Sequence, residues 1–228
     1  LEGPEGGHPL VLVRALTATF LHALYGALQK GRHDPWLARG AIDLSYGIIA
    51  APFALFVVPW PEPHMWVIFA GAFIIHFAYK LLQAFAYTKG AYTVVYPVVR
   101  GTGPLVIVIA ASLLFSEHFS AMQWAGVAAL SAGILLLALR NLTEETIDPV
   151  ALRIGLFWAV TGGILVAVYT VYDAFGIRQT ANPFTFLAWF FFLSAFDMPL
   201  VAAWRYRQME QPPKLSGLSW RGFAGAVI

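Results

Sequence analysis

The chain has 228 residues, 59% hydrophobic and 11% charged, with a mean hydropathy of +0.70, a net charge of +2 and no cysteine. That much apolar surface excludes an ordinary water-soluble globule and points to an all-α polytopic membrane protein. Without cysteine there are no disulfides, thiol catalysis or iron–sulfur clusters, and the small basic excess, gathered in a few loops, bears on membrane orientation rather than nucleic acid.

Residues 1–9 are rich in Gly and Pro and form an N-terminal tail. A first span is expected over residues 10–30; it carries Arg14, His22 and Gln29 and lacks a small-residue cleavage site, so it reads as a retained helix. Asp34-Pro35 supplies a capping carboxylate and a proline for the first helical position, and starts a second span that runs to about Val58. Pro59, Pro61 and Pro63 break the chain before a third span over residues 64–87.

The fourth span, AYTVVYPVVRGTGPLVIVIAASLLF, contains one charge, Arg100. A cation inside a bilayer is costly, so its default reading is functional. Tyr92, Tyr96 and Arg100 recur every four residues on one helix face. Pro104 lacks the donor that would serve the Arg100 carbonyl, and with Gly101 and Gly103 it predicts a kink beside the cation.

Ser120 and Gln123 have the form of a capping box and start the fifth span, over residues 121–140, with Glu117 and His118 in the loop before it. Gly126, Ala129 and Gly133 form a small-residue stripe there, suited to close approach of another helix. Residues 141–151 read as a polar linker, residues 152–175 as the sixth span and residues 183–204 as the seventh. A basic loop over residues 205–219 precedes a last apolar run from Trp220.

The linker divides two copies of one pattern. Tyr25 corresponds to Tyr169, Asp34-Pro35 to Asn182-Pro183, Pro52 to Pro199, and Trp66 and Phe69 to Trp220 and Phe223. The first copy is then residues 10–140, and the second, residues 152–228, stops inside its third member. An intact chain of about ten helices is expected, with about seven and a half here; an odd number per copy forces the two into opposite orientations, as in many inverted-repeat transporters. The loops after the first, third, fifth and seventh spans collect Lys30, Arg32, Arg39, Lys89, Arg140, Arg153, Arg205, Arg207, Lys214 and Arg221, against Arg178 on the other side. The positive-inside rule puts those loops in the cytoplasm.

Three polar stripes face a common interior on this reading. The third span offers His76, Tyr79, Lys80 and Gln83 at i, i+3, i+4 and i+7; the first offers His22, Tyr25 and Gln29; the sixth answers with Tyr169, Tyr172 and Asp173. With Tyr96 and Arg100 they define a candidate substrate cavity in which Lys80 and Arg100 bind an anionic group and the tyrosines grip the remainder. Asp173, His22 and His76 are candidates for proton coupling or charge balance, because histidine titrates near neutrality. No metal site is expected, the histidines lying on different spans without a carboxylate at ligand spacing, and no cofactor is implied.

The segments LHALYGALQKGRHDP, AYTKGAYTVVYPVVRGTGPL and SEHFSAMQWAGVAALSAGILLLAL resemble the EamA-like branch of the drug/metabolite transporter superfamily. The resemblance implies ten helices in two inverted five-helix repeats, a central cavity and secondary active transport by alternating access in the bacterial inner membrane. The two cations, Lys80 and Arg100, point to a small anionic or zwitterionic solute as partner beside the lipid bilayer. The HALYG and YPVVRGTGP segments also look like a subset associated with phosphonate utilisation. Two departures stand out: the last two helices of the family pattern are missing, and similar proteins keep both termini cytoplasmic, against the charge count. The rival readings are a flippase for a lipid-linked substrate and a non-transporting assembly or regulatory protein. An enzyme lacks support, since the chain has no HExxH pair, GxSxG elbow or phosphate-binding glycine loop.

Overall fold

The structure, a computed structural model, describes residues 13, 16, 17, 20, 34–89, 92–114, 116, 118–144 and 148–227. The first expected span, with His22, Tyr25 and Gln29, lies outside the described residues apart from four of its positions. Among the described residues eight α-helices follow: α1 (Pro35–Pro52, continued by a π turn Phe53–Val57), α2 (Met65–Lys89), α3 (Tyr92–Leu114), α4 (Ala121–Glu144), α5 (Pro149–Arg178), α6 (Pro183–Leu193), α7 (Met198–Gln208) and α8 (Leu215–Val227). Among the described residues six stretches are long and apolar enough to cross a membrane, α6 and α7 counting together as one. Phe56, Met122, Leu113 and Val67 stand 75–85% exposed on the outer faces. In a bilayer such side chains meet lipid tails rather than water, so their exposure carries no penalty.

The helix starts follow from local chemistry. The Trp36 and Leu37 amides donate to the Asp34 carboxylate, at 2.9 and 3.4 Å, and the Phe184 amide donates to the Asn182 side chain at 2.9 Å. Ser120 and Gln123 cap each other reciprocally: the Ser120 amide donates to the Gln123 side chain at 2.8 Å, and the Gln123 amide to the Ser120 hydroxyl at 3.3 Å. Each contact satisfies a donor that the first helical turn leaves without a partner.

Several expectations are refined. The seventh span is not continuous: α6 tightens into a 3₁₀ turn at Ser194–Phe196, and α7 restarts with Asp197 as its cap and Pro199 in its first turn. Pro199 has no N–H to continue the ladder and disfavours helical geometry at the residue before it, so the helix breaks in mid-span. The helices run past the apolar spans into the polar linker, α4 to Glu144 and α5 from Pro149, while the spans themselves end at Arg140 and resume at Leu152; α8 begins at Leu215, ahead of the apolar run from Trp220. Arg39 sits inside α1 rather than in a loop. Finally, a Cβ added at Gly126 or Gly133 would meet nothing within 4 Å, so among the described residues no helix packs on that stripe.

Close packing occurs elsewhere. A Cβ at Gly40 would collide with the Ala202 side chain and one at Gly47 with that of Ala195, so these glycines let α1 lie directly on the α6–α7 unit. The pairings Gly40–Ala202, Gly47–Ala195 and Phe53–Phe184 show α1 running antiparallel to that unit. This is the direction an inverted repeat requires of those two spans. α2 pairs with α6–α7 in parallel, from Trp66–Trp189 through Lys80–Asp197, and with α5 in the antiparallel sense, from Gly71–Tyr172 to Phe85–Trp158.

An aromatic core closes one end, where Phe69 stacks on Phe186 and Trp189 packs against Trp60 and Trp66. At the other end Arg205 donates twice to the Asp34 carboxylate, at 2.7 and 2.9 Å, and lies over the Trp36 ring, whose indole N–H reaches Thr88. The start of α1 and the ends of α2 and α7 therefore share one side of the molecule, as the charge pattern of their loops requires.

Candidate functional site

The polar stripe of α2 meets α5 inside the bundle. The His76 ring nitrogen Nε2 lies 2.8 Å from Asp173 Oδ2, and the imidazole packs on Tyr169, with ring centres 4.3 Å apart, and on Phe190 of α6 at 4.6 Å. Tyr79, buried, packs against Tyr169 at 5.1 Å. Gln83 donates to the Tyr79 hydroxyl at 3.0 Å and reaches the Tyr87 hydroxyl at 3.5 Å. Thus five sequence-chosen residues, His76, Tyr79, Gln83, Tyr169 and Asp173, form one contiguous cluster on two facing helices, roofed by Phe190.

Its electrostatics are set by Asp173. One carboxylate oxygen is held by His76; the other, Oδ1, is buried and has no hydrogen-bond partner among the described residues. A buried acceptor in that condition is costly, and a donor brought beside it recovers the desolvation it has already suffered. The His76 imidazole that holds Oδ2 is itself flanked by the Tyr169 and Phe190 rings. A carboxylate with aromatic rings nearby is suited to an ammonium group, which takes the carboxylate by a charge-assisted hydrogen bond and an open ring face by cation–π attraction.

Lys80 is placed differently from the expectation. One turn beyond His76, its ammonium is 2% exposed, 2.8 Å from Asp43 Oδ2 of α1 and 2.6 Å from Asp197 Oδ2 at the α6–α7 break. Asp43 also receives Arg39, one turn earlier on α1, at 3.0 Å. Two carboxylates thus hold Lys80, whose charge is balanced within the protein in this conformation. Asp43 and Asp197 fall in none of the polar stripes. Each is nevertheless a carboxylate inside an apolar span, the same signal that singles out Arg100.

The remaining candidates are on α3 or in the first span. α3 is helical throughout, with Pro97 and Pro104 inside it, and Tyr96 is half-buried. Gly101 and Gly103 serve packing: a Cβ at Gly101 would come within 3.1 Å of Leu135 on α4, and one at Gly103 within 3.5 Å of Val166 on α5. The side chain of Arg100, like His22 and Tyr25, lies outside the described residues. A separate cavity of about 490 Å³ opens between α1, α7 and α8; Leu44, Ile48, Ala202 and Leu218 line it, and Arg207 is the one charged residue in its lining.

Comparison with known proteins gives one finding. The model of the EamA-like transporter family matches residues 10–139, more than half of the chain. No curated protein and no solved structure matches it. An all-helical bundle with six apolar spans, ionisable residues gathered in its interior, and that match together lead to one assignment: the chain belongs to the EamA-like transporter family of the drug/metabolite transporter superfamily, and is a polytopic membrane transporter.

Proposed function

We propose that the protein is a secondary active transporter of the bacterial inner membrane that carries a small zwitterionic metabolite by alternating access through a cavity bordered by α2, α3 and α5. One observation carries this reading: a part-buried carboxylate, Asp173, is held by His76 through one oxygen, keeps its other oxygen without a hydrogen-bond partner among the described residues, and stands beside an imidazole flanked by Tyr169 and Phe190. Asp173 takes the ammonium of the solute, and Tyr79, Tyr169, His76 and Gln83 enclose its body. With Lys80 engaged by two carboxylates, Arg100 is the cation assigned to the anionic end of the solute, where a guanidinium fork suits a carboxylate or phosphate-like group. On the sequence pattern alone, His22 and Tyr25 of the first span are assigned to the same solute. A mobile carrier must open this site to one face at a time, and the broken α6–α7 helix beside it is a natural place for that movement.

The test is uptake into proteoliposomes by wild type and by Arg100→Gln. The variant is expected to insert in the membrane in normal amount and to lose transport of zwitterions at least tenfold; unchanged flux contradicts the assignment. A second reading, a flippase for an amphiphile, draws on the apolar cavity between α1, α7 and α8. It predicts that a short-chain fluorescent phospholipid crosses the bilayer faster in the presence of the protein, which the small-solute reading does not.

A further inference from the structure

The site just described leaves one ion cluster unused, made of buried Asp43, Lys80 and Asp197 with the part-exposed Arg39 at its edge. Its members come from three separate pieces of the fold, namely α1, α2 and the break between α6 and α7. Asp43 is fully buried, and the Lys80 and Asp197 side chains are 2% and 1% exposed. Both acids share the one ammonium, but they are not held alike. Asp43 sits in mid-helix and receives Arg39 at 3.0 Å as well as Lys80 at 2.8 Å, and a guanidinium does not give up its proton. Asp197 faces Lys80 with one oxygen, at 2.6 Å; its other oxygen accepts from the Met198 amide as the cap of α7. It also stands where the helix is already interrupted, with φ −102° and ψ −87°.

We propose that Asp197 is a proton-binding site through which transport is coupled to the proton gradient, its protonation freeing the α6–α7 break from Lys80. Withdrawing a charged Asp197 from Lys80 in a dry interior separates two buried charges, which is prohibitive. The break separates from α2 at low cost once the carboxylate is neutral. In that step a proton from water forms an O–H bond on Asp197, directly or through the Lys80 ammonium, whose broken N–H bond is then remade from water. Lys80 keeps Asp43 as its partner, and Asp43 keeps Arg39. Four residues before Lys80 on α2 stands His76, which pairs with Asp173 of α5. The proton site itself stands on the geometry alone; its role in coupling rests on the alternating-access reading above.

The chain has no cysteine, so spin labels can be introduced at chosen positions without background. Ile74 on α2 and Leu200 on α7 are each 66% exposed. In the protein carrying Ile74→Cys and Leu200→Cys, reconstituted in liposomes without added solute, the label separation is measured as pH is lowered through the carboxylate and histidine range. Two distances are expected, their ratio changing about tenfold per pH unit below the midpoint, as binding of one proton requires. Asp197→Asn should show the low-pH distance at every pH. Asp43→Asn, which leaves Asp197 as sole acid on Lys80, should fold and move the midpoint to lower pH, and His76→Gln should leave the transition in place. A wild-type distance that ignores pH overturns the proposal, as does an Asp197→Asn protein that titrates like wild type or a transition abolished by His76→Gln. None of these outcomes depends on the identity of the solute, so a failed solute assignment leaves the result readable.

Discussion

Asp34, Asp173 and Asp197 show how the same side chain is put to three uses by what surrounds it. Asp34, at a helix start and partly exposed, caps α1 and holds Arg205. Replacing it by Ala removes the cap, worth about 1 kcal/mol, while the exposed ion pair adds little; the melting temperature in detergent should fall by a few degrees with transport preserved. Asp173 keeps a buried oxygen in reserve, so Asp173→Asn should weaken binding of glycine about ten- to hundredfold, the equivalent of about 1.5–3 kcal/mol for a hydrogen bond to a charged group, read by isothermal titration. Equal affinity in the variant would remove Asp173 from the site. The caps at Asp34, Ser120 and Asn182 were legible in the sequence because each involves residues two or three positions apart. The partners of Lys80 were not: Asp43 and Asp197 are 37 and 117 positions away, and only the packing of three helix segments brings them together.

Among the elements, α1 and the α6–α7 unit carry the closest packing. Gly47→Val drives two methyl groups into Ala195 and should cost about 1–3 kcal/mol, seen as a lower melting temperature, and Gly40→Val should do the same against Ala202. Gly126→Val, on a face of α4 that meets no neighbour among the described residues, should change the melting temperature little, and a loss as large as that of Gly47→Val would contradict this. The small-residue stripe on α4 thus looked, in sequence, just like the pairing face that α1 in fact provides. A stripe states that close approach is permitted, and only tertiary structure selects which permitted face is used. The break before α7 had its signal in Pro199, which the repeat pairs with Pro52. Apolar periodicity on both sides of it reads as one continuous span, and the interruption emerges only where Asp197 turns toward Lys80.

At the scale of the whole molecule, composition alone carried the membrane assignment, and the stripe of α2 carried much of the candidate site, because a polar face on an otherwise apolar helix has to meet another polar face. What composition left open was the sign of the site. Lys80 reads in sequence as a cation for the solute, and in the fold it pairs with two carboxylates, while Asp173 keeps one oxygen without a partner among the described residues. The most direct test is thermal unfolding of the purified protein in detergent with methylamine, glycine, acetate or inorganic phosphate, comparing wild type with Asp173→Asn and Arg100→Gln. A ligand present at a hundred times its dissociation constant stabilises by about 2.7 kcal/mol, enough to move the midpoint by several degrees. The account predicts the largest shift with glycine, a smaller one with methylamine that vanishes in Asp173→Asn, and loss of the excess glycine shift in Arg100→Gln. Stabilisation by phosphate or acetate alone, undiminished in Asp173→Asn, would contradict it.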